Sequence, residues 1–170
     1  MNWLTILIHV LASYVATASF AAVFQCPWKL LPLAGIPGVV AWMTYYLLKP
    51  VIGLGFSMFA AALLLTLAAR VLSVRKRCPL TVFLVAGIIP LVPGSGVFLG
   101  VFHLLQRDFS SALVKGTETF MTCGAILLGI TFISMIPQKV FNLIRKKDRT
   151  ERRSKEDRRA VKKSKKEARG

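Results

Sequence analysis

Five stretches of this chain are each about as long as a bilayer's hydrocarbon core is thick, and nothing else in the sequence limits the fold as much. A helix needs about 20 predominantly apolar residues to cross that core. Segments 3–24, 30–48, 51–74, 79–105 and 116–136 meet the requirement. Inside lipid only helices and closed barrels satisfy every backbone group. The expectation is an all-α integral membrane protein with about five transmembrane helices. Mean hydropathy of +0.60 agrees, being well above that of an ordinary soluble domain.

A formal charge of +16 suggests a nucleic-acid binder until it is mapped along the chain. Residues 1–138 hold eight Lys/Arg and two Asp/Glu, whereas residues 139–170 hold 15 and five. The chain therefore divides into a transmembrane domain, 1–138, and a basic juxtamembrane tail, 139–170. The tail has too few apolar residues for a core and is expected to meet anionic lipid headgroups rather than nucleic acid. Lys29, Arg75, Lys76, Arg77 and the tail fall on one side of a five-span chain, and Lys49, Arg107 and Lys115 on the other. The positive-inside rule then puts the N-terminus outside and the C-terminus in the cytoplasm. Arg70 is expected to snorkel to the cytoplasmic side. Only Met1 and Asn2 precede the first span, so a cleaved signal peptide is not expected. Cys26, Cys78 and Cys123 are too widely spaced for a disulfide framework or a zinc site.

The fourth segment is too long for one upright helix, and it carries Pro90-Leu91-Val92-Pro93-Gly94-Ser95-Gly96. Two prolines and two glycines in seven residues break a helix. Broken helices of this kind form substrate sites in many transporters. Pro90, Pro93, Gly94, Ser95 and Gly96 are therefore the candidate substrate-binding residues. Counting from Pro79 places the break near mid-membrane, with a second half-helix over 97–106. Ser95 and the N–H groups of 95–98 would cap that half-helix and suit a carboxylate. Carbonyls freed around 88–91 suit an ammonium, so a zwitterionic amino acid matches both ends. The competing interpretation is a proline kink packed against neighbouring helices.

Glu118 is the acid nearest a span and the candidate for proton coupling, though its position near the outer interface favours a solvated interfacial carboxylate. Thr117, Thr119 and Thr122 extend a polar lining or simply bond back to the preceding turn. His9 and His103 are lone histidines, which serve more often in packing than in proton transfer. Trp3, Trp28, Trp42, Tyr45 and Tyr46 read as interfacial anchors. Small residues such as Ala12, Ala16 and Ser19, Ala34 and Gly38, Gly96 and Gly100, and Gly124 and Gly129 suggest close helix packing, with room for a homo-oligomer face. No nucleophile–base pair, phosphate loop or metal-ligand spacing points to an enzyme, a cofactor or a metal.

The chain resembles the threonine/serine exporter family, and in particular its short subunit, which corresponds to the C-terminal half of full-length exporters. The resemblance runs over about residues 5–137. It is carried by 13–24 with Cys26-Pro27, by Gly35, Gly38, Trp42 and Tyr45, by Phe59-Ala60-Ala61 with Arg70 and Pro79, and above all by Gly87-Ile88-Ile89-Pro90-Leu91-Val92-Pro93-Gly94. It implies a proton-driven inner-membrane exporter of threonine and serine that works with a larger membrane subunit of the same family. A dicarboxylate such as succinate is the alternative substrate. A membrane assembly partner that transports nothing is the alternative of a different class.

Overall fold

A computed structural model describes residues 3–76 and 78–136, so the basic tail lies outside the described residues. All regular structure among them is helical: α1 (Trp3–Val23), a 3-10 turn (Trp28–Leu30), α2 (Leu31–Lys76), α3 (Leu80–Ile88), a second 3-10 turn (Ile89–Leu91), α4 (Gly94–Leu105) and α5 (Phe109–Ser134). Helices α1, α2 and α5 are each long and apolar enough to cross a membrane. Helices α3 and α4, bent by 47° at the proline–glycine break, make a fourth span when taken together.

The 46-residue α2 joins the second and third expected spans. It is not straight. Gly87 lies against both Leu65 and Pro37, positions that a straight helix would hold about 42 Å apart. Ala41 likewise shares a core cluster with Met58, Ala61 and Leu65. The chain reverses at Gly53, where φ is 78° and ψ is 178°, and the arms 31–52 and 54–76 run back along each other. The segment bounds 30–48 and 51–74 put the connection at Lys49 and Pro50, and the reversal falls three residues beyond Pro50. Proline's fixed φ suits a helix, whereas this reversal needs a φ that costs glycine almost nothing.

Helix α1 buries Ser13, Thr17 and Ala21, not the Ala12, Ala16 and Ser19 stripe. Ser13 Oγ donates to the Val10 carbonyl at 3.1 Å and Thr17 Oγ1 to the Ser13 carbonyl at 2.8 Å, so both hydroxyls are buried already satisfied. Thr17 then fits against Gly38, where a Cβ would collide with it. Gly129 on α5 lets the Phe59 carbonyl and Ala62 of α2 approach to 2.8 Å of where its Cβ would stand. Gly124, by contrast, faces open space.

Arg70 does not reach out of the bundle. It is 8% exposed and donates from Nη1 to the Ile133 carbonyl at 2.5 Å and the Ser134 carbonyl at 3.3 Å. Carbonyls in the last turn of a helix lack intrahelical donors and carry partial negative charge. The guanidinium meets them there and ties the end of α5 to α2. At the other end, Asp108 caps α5 by accepting the Ser111 N–H at 3.2 Å. Large apolar side chains such as Leu7, Phe120 and Phe132 point outward, as helices in contact with lipid require.

Candidate functional site

The break is tighter than its sequence suggests. Helix α3 ends in the 3-10 turn, and the Val92 N–H donates to the Ile88 and Ile89 carbonyls, both at 3.2 Å. Leu91 is buried in the main core cluster and pins the turn there. Pro93 then caps α4, and the Gly96 and Val97 N–H groups donate to its carbonyl at 3.1 and 3.2 Å. Helix α4 thus starts at Gly94, three residues before the expected half-helix, and Ser95 lies in its first turn rather than capping it. The carbonyls of Ile88 and Ile89 and the donors at 96 and 97, expected to be free for a ligand, already have partners.

What the break does form is a wall. Pro90, Pro93, Ser95 and Gly96 line a cavity of about 320 Å³. Gly94 is exposed, with nothing within 4 Å of its Cβ position, and lies outside the lining. The facing wall comes from the two arms of α2, with Trp42, Tyr45 and Lys49 on the first and Leu54 and Met58 on the second. Lys115, Glu118, Thr119 and Thr122 of α5 complete it. The reversal at Gly53 thereby brings Lys49 and Lys115 to the same chamber.

The chamber's charges are two ammonium groups and one carboxylate. Lys115 Nζ and Glu118 Oε2 are 2.8 Å apart, each side chain nearly half exposed. Such a pair is worth roughly 0.3–0.5 kcal/mol, and lysine N-terminal to glutamate is the weaker order on a helix. Little is lost when either group exchanges this partner for another. Lys49 Nζ sits 5.4 Å from the centre of the Tyr45 ring. Thr119 and Thr122 donate to the Lys115 and Glu118 carbonyls, each at 2.7 Å, which leaves their oxygens as acceptors. Thr117 bonds back in the same way but faces a different space, an apolar groove of about 660 Å³ between α4 and α5. That groove is larger, yet it offers a polar solute almost nothing to bind.

His103 stands apart from the chamber, with Nδ1 3.8 Å from Asp108 Oδ2. His9 accepts the Trp42 indole N–H on Nδ1 at 3.3 Å. Sequence reasoning does not single out Trp42, Lys49 and Lys115 as site residues, although all three line the chamber. The first two share a face with Tyr45 at helical spacing, but an aromatic–lysine run near a span end reads equally as an interfacial anchor.

Comparison with known proteins bears on what such a chamber serves. The model of the family described as "Threonine/Serine exporter, ThrE" matches residues 9–136. A threonine/serine exporter of Corynebacterium glutamicum is 21% identical over 139 residues, or 82% of this chain. The chain spans only 28% of that relative's length. No solved structure matches it. The family match covers the break, both arms of α2 and the whole of α5, so every wall of the chamber lies within it, and the chain is a multi-pass membrane protein belonging to the threonine/serine exporter family.

Proposed function

We propose that the chain is one subunit of a proton-coupled secondary exporter that moves small polar metabolites, threonine and serine foremost, out across the cytoplasmic membrane. It crosses five times, with the α2 arms counted separately, the N-terminus outside and the C-terminus in the cytoplasm. A larger membrane subunit of the same family supplies the rest of the path, and the tail rests on anionic lipid. A reporter after Gly170 should then be cytoplasmic and one within 109–114 external.

The observation that supports this reading is the convergence of the break with Lys49, Lys115 and Glu118 on one chamber. A zwitterion answers both signs: its carboxylate meets the lysines and its ammonium displaces Lys115 from Glu118. The hydroxyl of serine or threonine donates to Thr119 or Thr122. Two lysines against one glutamate also favour a second substrate class, dicarboxylates.

The test is a Ser95→Cys variant with Cys26, Cys78 and Cys123 replaced, exposed to a membrane-impermeant thiol reagent in the assembled complex. Cys26 adds little background even if retained, because burial raises its thiol pKa. Position 95 should react and be protected by threonine and serine, or by succinate on the second reading. A cysteine at position 95 that stays inert, with no protection by any of the three, would leave the packed-kink interpretation. Pro90→Ala and Pro93→Ala separate transport from scaffolding. Export lost with assembly intact supports the exporter, and assembly lost alone supports the scaffold.

A further inference from the structure

One wall of the chamber is held from behind by a group outside it. Trp42 lines the cavity, and its indole N–H donates to Nδ1 of His9 on α1 at 3.3 Å. The Tyr46 ring packs on the same imidazole, centroids 4.6 Å apart, and Trp42 contacts Tyr45 at 5.6 Å, which in turn lies under Lys49. Imidazole accepts on Nδ1 only when neutral, with its proton on Nε2; protonated, both nitrogens are donors and none accepts. Indole N–H is a donor only. The His9–Trp42 bond therefore exists in one protonation state of His9 and not in the other.

We propose that His9 is a positioning residue that couples a proton to the chamber. Neutral His9 holds Trp42 in the chamber wall, and protonated His9 releases it. The groups around His9 leave few other ways for protonation to act. From α2 they are Tyr46, Tyr45 and, one turn on, Lys49; α3 and the adjoining 3-10 turn, also packed on α1, carry no titratable side chain. On α1 itself the other titratable group is Tyr14, whose hydroxyl donates to the Pro32 carbonyl. Among the described residues none of these elements carries a carboxylate that could rebind the imidazolium, so the indole is the partner that must move. The consequence for transport rests on the proposed function, because it matters only if substrate contacts the Trp42 wall.

The bond can be watched without any substrate. Trp3 and Trp28 are 87% and 85% exposed, so Trp3→Phe and Trp28→Phe leave Trp42 as the single tryptophan. In proteoliposomes its emission should change reversibly between alkaline and acidic buffer, as the imidazole takes up a proton. His9→Gln offers a carboxamide oxygen that accepts at every pH, and should hold the high-pH emission throughout. His9→Phe fills the space without an acceptor and should show the low-pH emission throughout. The threonine concentration for half-maximal effect on Trp42 should change about tenfold across the same interval, the scale of one lost hydrogen bond, and stay flat in His9→Gln. Emission that fails to titrate, or titrates alike in His9→Gln, overturns the role of His9 even if threonine still perturbs Trp42. Emission that titrates as expected while threonine, serine and succinate all leave Trp42 unperturbed upholds the His9–Trp42 coupling and overturns the substrate site.

Discussion

Helices α3 and α4 are two halves of one apolar run, yet they occupy opposite situations. Helix α3 buries Phe83, Ala86 and Gly87 among α1 and both arms of α2. Helix α4 is longer, packs on α5 and buries no residue. Both are rich in apolar residues and both contain glycine, so composition does not separate them. The difference lies in what each glycine meets. On α3, Gly87 is pressed on Leu65 and lies near Pro37 and Gly38, so it meets both α2 arms, whereas on α4 Gly96 is pressed only on Thr119 of α5 and Gly94 meets nothing. In a membrane, where lipid is as apolar as a side chain, close packing takes over the sorting that hydrophobicity performs in water.

The largest expected effect sets the halves directly against each other. Gly87→Leu should part α3 from both α2 arms, at a cost at or above the usual range for overpacking (about 3 kcal/mol or more). Gly94→Leu should leave the fold intact. Size-exclusion profiles and melting curves in detergent measure both, and a monodisperse, wild-type-like Gly87→Leu would break the comparison.

The α4–α5 hairpin is anchored at one end, where Arg70 holds the last turn of α5. Arg70→Met removes those charged hydrogen bonds and should cost about 1.5–3 kcal/mol, read as a lower melting temperature. Arg70→Lys should recover part of it. If Arg70→Met melts like the wild type, the packing of Gly129 and Ile126 on α2 holds the hairpin without it.

A smaller effect falls on the break itself. Ser95→Ala removes one hydroxyl from the chamber wall without altering the turn, so on the proposed function export should fall roughly fivefold, the equivalent of about 1 kcal/mol. Protein level and assembly should not change. Export unaffected by Ser95→Ala would overturn the proposed contact of substrate with Ser95.

The smallest effect belongs to the start of α5. The Ser111 hydrogen bonds hold the Asp108 carboxyl below the ordinary aspartate range. A carboxylate with a lowered native pKa contributes stability above its unfolded pKa and loses it as pH falls through the folded value. The melting temperature of Asp108→Ala should therefore lie slightly below wild type at neutral pH, and the gap should close in acid. A gap that persists at low pH would assign the effect to packing.

Much of the architecture is legible in residue order. The extent of α1, the interruption at Pro90–Gly96 and the polar character of Glu118 follow from apolar length, proline geometry and the cost of charge in lipid. Other features are legible only in outline. A reversal between the second and third spans is implied by length, but Pro50 and Gly53 compete for it, and only the required φ decides for glycine. Small residues recur on two faces of α1, and the buried face is the one whose hydroxyls are satisfied by the preceding turn and whose Thr17 finds Gly38. Arg70 looks like an interfacial cation until the end of α5 is seen beside it.

The chamber shows the same division. Residue order is enough to establish a helical membrane chain with a broken span, and to mark Ser95 and Glu118 among its few polar groups in or near the spans. Those properties belong to residues and their immediate neighbours. Packing of the helices, and nothing short of it, brings Lys49, Lys115 and Glu118 to one chamber with the break, leaves Gly94 outside it and hangs Trp42 from His9. These are contacts between residues far apart in the chain, or questions of which way a short turn faces. They depend on the reversal at Gly53 and the bend between α3 and α4, where a few backbone angles swing whole helices and no local pattern in the chain encodes where they land.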